Sequence, residues 1–254
     1  MATIRGKKGN FNDTLVGTNK ADTIYGLDGD DTIRAGADND YAYGGNGADY
    51  LSGEAGHDRL YGEDGDDILV GGDGHDLMDG GAGSDTLSGD AGEDDLWGGD
   101  GTDTLSGGAG IDELIGGLGA DVMTGGADRD YFFWYSRLDA LDGDTITDFQ
   151  PGLDVLGMLP QGDAADANVV MAGRQQWEFV GTTAGAPLAN GNGQATVNYD
   201  GNGNTVLQLF NADGDTQSDF TLTVNGVLQP GQLQIYAFSQ TTSAFIDPMI
   251  LIGP

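Results

Sequence analysis

Cysteine is absent from the 254 residues, so the chain has no disulfide and no thiolate metal site. Basic residues are scarce: 9 Lys and Arg stand against 42 Asp and Glu, a formal net charge of −33. That balance repels phosphate backbones and excludes nucleic acid as a partner. No stretch approaches the ~20 apolar residues of a membrane span. The start, Met1 to Lys8, is basic but lacks the apolar run of a secretory signal, so classical signal-directed export is not indicated. With 2 histidines there is no His-Glu-x-x-His zinc motif, and no Gly-x-Ser-x-Gly nucleophile elbow either, so the chain is expected not to be an enzyme.

Glycine, by contrast, numbers 47, and its placement is periodic. Residues 8–133 read as fourteen consecutive nine-residue units without insertion, as in Gly71-Gly72-Asp73-Gly74-His75-Asp76-Leu77-Met78-Asp79. Position six is always Asp: Asp13, Asp22, Asp31, Asp40, Asp49, Asp58, Asp67, Asp76, Asp85, Asp94, Asp103, Asp112, Asp121 and Asp130. Position eight is always apolar, from Leu15 and Ile24 through Leu69 and Met78 to Met123 and Phe132. Several glycines per unit oppose a helix, at roughly 1 kcal/mol each. A unit this short predicts a six-residue loop and about three extended residues with the apolar one inward. Two units then form one turn of a flattened coil, and the fourteen units form seven turns stacked at about 4.8 Å.

The unit Gly-Gly-x-Gly-x-Asp-x-(apolar)-x resembles the nonapeptide of the repeats-in-toxin (RTX) proteins. The resemblance implies an all-β, right-handed parallel β-roll in which Ca2+ ions sit between the loops of successive turns. The fourteen position-six Asp residues and loop carbonyls are then the metal ligands, a donor set suited to a hard cation that takes six to eight oxygens. If each ion joins one unit to the next unit but one, the acids form two columns, and the gaps between loops allow up to about twelve ions. Residues 8–133 contain 29 acids against 5 bases, a net −24 that opposes closure of the coil without divalent cations. In their absence the segment should be a solvated, disordered acidic chain.

The repeat is least regular at its start, where Phe11 and Lys20 replace Gly and one unit reads Ala35-Gly36-Ala37-Asp38; residues 44–124 follow the pattern best, with Glu54, Glu63 and Asp90 replacing the second Gly. Position nine along one predicted sheet reads Tyr25, Tyr43, Tyr61, Asp79, Trp97, Ile115, Phe133. This aromatic stripe is read as a stacked ladder or a surface covered by the carboxy-terminal segment. The sharper reading is a docking face for surface polysaccharide or a protein partner. His57 and His75, both at position five, should lie on adjacent turns of one edge, as solvent-facing loop residues or as a transition-metal pair.

Three parts follow: a lead-in, residues 1–7; the β-roll, residues 8–133; and a β-rich cap, residues 134–254. The segment Asp144-Thr145-Ile146-Thr147-Asp148-Phe149, continuing through Asp154, resembles the stretch that follows the repeats in serralysin-type proteases, though Gly157 stands where an Asp is usual. Asp144, Asp148 and Asp154 are ligands or turn caps. Alternating runs predict strands at 177–180, 195–199, 205–210 and 220–224, with turns at 191–193, 201–203 and 225–226. The acid cluster 211–215 is read as a turn. From Gln175 onward there is no Lys or Arg, and the tail 245–252 is apolar, compatible with the uncleaved signal by which RTX proteins engage a type I exporter. The resemblance therefore implies a secreted, calcium-binding module at or beyond the cell surface. Alternatives are a membrane-active, toxin-like protein or the detached carboxy-terminal part of an RTX enzyme; the initiator Met and immediate entry into repeats argue for a stand-alone chain.

Overall fold

The computed structural model describes residues 1–9, 11–135, 142–150 and 153–159, with the strand backbone at 194–199, 205–210, 220–224 and 235–237. Every unit contributes one strand, and strands two units apart pair in parallel, Leu87 opposite Leu105 and Leu96 opposite Leu114. This eighteen-residue register follows from the side-chain alternation of a strand: slipping it by one residue would turn every position-eight side chain out of the core. Two sheets result. One runs from Thr3–Arg5 through Thr23–Asp28, Tyr41–Asn46, Arg59–Asp64, Leu77–Ala82, Asp95–Asp100 and Glu113–Leu118 to Tyr131–Tyr135. The other runs from Thr14–Val16 through Thr32–Ala37, Tyr50–Ala55, Ile68–Asp73, Thr86–Ala91 and Thr104–Ala109 to Val122–Ala127. Together they form a parallel β-solenoid of about 7 turns, with no helix among the described residues.

The position-eight side chains meet between the sheets. Ile24, Leu51, Leu60, Leu69, Leu105 and Leu114 are fully buried, and Ala35 joins them. The strands are longer than the three residues expected from the sequence. From Thr23–Asp28 to Val122–Ala127 each spans six residues, because the ladder continues through the glycines: Gly99 pairs with Gly117, and Gly108 with Gly126. Only positions four to six make the bend. There Gly74 has φ +146°, and a Cβ on it would collide with the carbonyl of Gly56 one turn below, so only glycine closes that bend.

Parallel pairing does not end with the nonapeptides. Asp142–Ile146 stacks on Val122–Ala127, and Val155–Leu159 on Tyr131–Tyr135. Beyond them, Ile235–Ala237 extends one sheet. Phe220–Val224 extends the other, followed by antiparallel Thr205–Phe210 and Gln194–Tyr199. Three of the four predicted carboxy-terminal strands are thus present. The fourth, at 177–180, lies outside the described residues, as do the turns at 191–193, 201–203 and 225–226, the cluster 211–215 and the tail 245–252.

Candidate metal centre

At the end of each bend the chain turns its position-six Asp inward, beneath the strand that follows. All fourteen are buried, none more than 8 % exposed. Each of the twelve from Asp31 to Asp130 receives a single protein donor through Oδ1, the backbone N–H of the Asp one turn earlier. Along one edge Asp13 N–H donates to Asp31 Oδ1 (2.6 Å), Asp31 N–H to Asp49 Oδ1 (2.6 Å), Asp49 N–H to Asp67 Oδ1 (2.7 Å) and Asp67 N–H to Asp85 Oδ1 (2.8 Å). The other edge repeats it, from Asp22 to Asp40 (2.6 Å) up to Asp112 to Asp130 (3.2 Å). The acids therefore form two continuous columns, as expected from the two-unit turn.

The second oxygen carries the chemistry. In Asp31, Asp40, Asp49, Asp58, Asp67, Asp76, Asp85, Asp94, Asp103, Asp112, Asp121 and Asp130, Oδ2 is buried and has no hydrogen-bond partner. Except in Asp40, whose unit opens with Ala35, it lies against the first glycine of its own unit: a Cβ on Gly62 would collide with Asp67 Oδ2 and with the carbonyl of Gly80 in the next turn. Carboxylate oxygen, loop carbonyl and the space left by a missing side chain thus converge at Gly26 and at each first glycine from Gly44 to Gly98. A buried carboxylate oxygen without a donor requires a proton or a cation. Burial pushes Asp94 up to about 8, Asp58, Asp67 and Asp130 to about 7, and Asp40, Asp49, Asp85, Asp103, Asp112 and Asp121 to about 6. Asp31 and Asp76 move the same way for the same reason. The backbone N–H donor opposes the rise, and like charges in the column mostly add to it. An all-oxygen set of carboxylates and carbonyls fits a calcium ion. No group of three or more His, Cys, Asp or Glu is poised for a metal among the described residues, so backbone oxygens must supply much of any ligand shell.

Asp13 and Asp22 depart from the expectation that all fourteen acids are alike. The Lys7 N–H donates to Asp13 Oδ2 at 2.6 Å and its ammonium to Oδ1 at 3.0 Å; these bonds, the backbone one foremost, hold Asp13 below the usual carboxylate range. The Thr18 hydroxyl (2.7 Å) and N–H (2.8 Å) donate to Asp22 Oδ2, and the hydroxyl is the main cause of its lowered pKa. The far end is closed in the same manner. Asp144 Oδ1 continues one column by accepting from Asp121 N–H, and its Oδ2 takes the Trp134 indole N–H at 2.6 Å. Asp154 continues the other, accepting from Asp130 N–H and, at 2.6 Å, from Gln150 N–H. Asp148 spans Gly125 and Gly126 N–H. Asp144, Asp148 and Asp154 therefore act as caps in this structure.

The sequence offers Asp144, Asp148 and Asp154 as ligands or turn caps; that Asp144 and Asp154 continue the two columns was not read from it, yet a signal exists. Asp144-Thr145-Ile146 and Asp154-Val155-Leu156 repeat the Asp-x-apolar spacing of the nonapeptides, displaced by insertions. Trp134 falls where the next unit would carry its first glycine.

The remaining candidates sit on the surface. His57 and His75 lie on adjacent turns with ring centroids 4.9 Å apart. His57 Nδ1 accepts the His75 N–H at 2.8 Å, so in the neutral ring the proton is on Nε2 and the nitrogen free for a metal is the protonated one. Tyr25, Tyr43 and Tyr61 form a ladder with centroids 4.9 Å apart and planes within 8°, and the Arg5 guanidinium lies 4.6 Å from the Tyr25 centroid. Both ring faces of Tyr43, and of Tyr25 with Arg5, are thus taken, which leaves their edges for any partner. Further along this face Trp97 is exposed, whereas Ile115 and Phe133 are buried.

Comparison with family models agrees with this repeat register. The family described as the RTX calcium-binding nonapeptide repeat matches in four copies, at residues 9–42, 43–78, 70–105 and 97–132. Among solved structures, a subunit of the mannuronan C5-epimerase from Azotobacter vinelandii, determined in solution, is 27% identical over 73% of this chain and 90% of its own, with a TM-score of 0.27. A search of curated proteins returns no significant match. The two columns of buried carboxylates, and the register that builds them, are those of a chain whose residues 9–132 are RTX calcium-binding nonapeptide repeats.

Proposed function

We propose that this protein is a secreted module that folds on binding calcium and acts outside the cell as a binding or structural element. One observation carries the reading: twelve buried Oδ2 atoms, six in each column, with no protein donor. The twelve residues from Asp31 to Asp130, with backbone carbonyls of their loops, would hold the ions, up to about twelve. Asp13 and Asp22 at one end, and Asp144 and Asp154 at the other, close the columns without metal. Calcium supplies positive charge and a flexible oxygen-binding shell where the protein supplies only acceptors.

The same chemistry couples folding to place. Where calcium is scarce, column repulsion and carboxylate burial hold the repeats open, a state that a type I exporter can thread. At millimolar calcium outside the cell, each site adds stability by mass action. Far-UV circular dichroism in chelator and then in millimolar calcium tests this. The expected result is a disordered spectrum converting to β; the same β signal in both would overturn it.

A further inference from the structure

On the face of the tyrosine ladder the roll carries a cleft of ≈ 490 Å³ whose own carboxylates, Asp28 and Glu63, lie outside the metal columns. Gly44 and Gly45, both buried, form its floor, and Tyr25 and Tyr43 line it with ring edges. Leu27 and Glu63 stand on either side of Gly45 in the ladder register, one turn before and one turn after. At this position of the unit glycine is usual, and both residues adopt positive φ, 94° for Leu27 and 77° for Glu63. Side chains are thus held in a strained conformation at two successive walls, with none between them, which is how a notch is cut into a regular ladder. Lys8, Asp28 and Asn46 complete the rim, with Asn46 Nδ2 donating to Asp28 Oδ1 at 2.7 Å.

The lining selects the chemistry of an occupant. The faces of Tyr25 and Tyr43 are already covered, by each other, by Tyr61 and by the Arg5 guanidinium, so the rings offer a cation no cation–π contact. The carboxylates of Asp28 and Glu63, on a molecule of net charge −33, repel a polyanion. What fits is a neutral ligand rich in hydroxyls, which can donate to the two carboxylates and accept from the Lys8 ammonium. We propose that this cleft binds a segment of an uncharged glycan. The inference rests on the calcium-folded roll proposed above, because three successive rungs of one sheet build the site.

The test uses the full chain in calcium, titrated with maltohexaose, cellohexaose and mannohexaose, and with polygalacturonate as the anionic arm, by isothermal titration calorimetry. The expected result is saturable binding of at least one neutral hexasaccharide and none of polygalacturonate. The double variant Leu27→Gly, Glu63→Gly restores the usual glycines, so its thermal midpoint should equal or exceed that of the parent while its glycan affinity falls at least tenfold. Absence of binding by all three neutral sugars, equal binding of polygalacturonate, or undiminished binding by the double variant would each overturn the proposal. Circular dichroism of the same samples in chelator separates the two readings: a roll that persists there contradicts calcium-driven folding and leaves the sugar titration valid.

Discussion

A carboxylate enclosed by protein must find a donor for each oxygen, a cation, or a proton, and Asp67 finds a donor for one oxygen only. Replacing it with Asn removes the negative charge from a rung while nearly preserving shape. The expected outcome of Asp67→Asn is a calcium number lower by at least one, counted by native mass spectrometry, and a lower thermal midpoint in calcium. Asp13→Asn should leave the calcium number unchanged, since Lys7 already serves that carboxylate. Protonation tests the same oxygens differently. Their folded pKa values are raised, so without metal the roll holds more protons than the unfolded chain and loses stability as pH rises. That stabilisation is complete below the ordinary value of 3.8 and is lost as pH climbs through about 6 to about 8. In chelator, β structure measured by circular dichroism should therefore be greater at pH 5 than at pH 8. Calcium affinity should change in the opposite sense, rising with pH as protons leave the ligands. Equal β content at both pH values in chelator would contradict the assignment.

Within a single rung, glycine decides what can be built. Gly62→Ala places a methyl group where Asp67 Oδ2 and the Gly80 carbonyl already lie, and the backbone cannot yield without breaking the ladder. A loss above about 3 kcal/mol is expected, read from denaturant unfolding in calcium. Asp90→Gly should do the reverse: Asp90 has φ +69°, and relief of that conformation should stabilise by about 1 kcal/mol. The spacing of Asp at position six and of the apolar residue at position eight made the two-unit turn, both columns and the core legible before any coordinates. Strand length was not legible, because Gly99 and Gly108 carry the same residue type whether they bend the chain or extend a ladder. The donors that close the columns, and the columns' continuation past the repeats, were hidden for another reason. Lys7, Thr18 and Trp134 act through contacts that no periodicity encodes, and the pattern at Asp144 and Asp154 is shifted to 23 and 24 residues from its partners instead of 18.

Across the whole molecule, one inward apolar side chain per strand makes a thin core for a segment of net charge −24. Such a stack gains its cohesion from neighbour to neighbour, so the stability of each turn depends on the occupancy of the next. Two kinds of repulsion are in play, and salt distinguishes them. Charges facing solvent are screened by 1 M NaCl, where the Debye length is about 3 Å, but an enclosed Oδ2 is not. High sodium chloride in chelator should therefore fail to restore the β signal that millimolar calcium restores.

Counting the ions tests the central claim most directly. Protein folded in calcium and then passed into calcium-free volatile buffer at pH 7.5, weighed at once by native mass spectrometry, should carry up to about twelve calcium ions, the number of donor-less carboxylate oxygens in the two columns. A compact, β-structured chain carrying no ion would contradict the account.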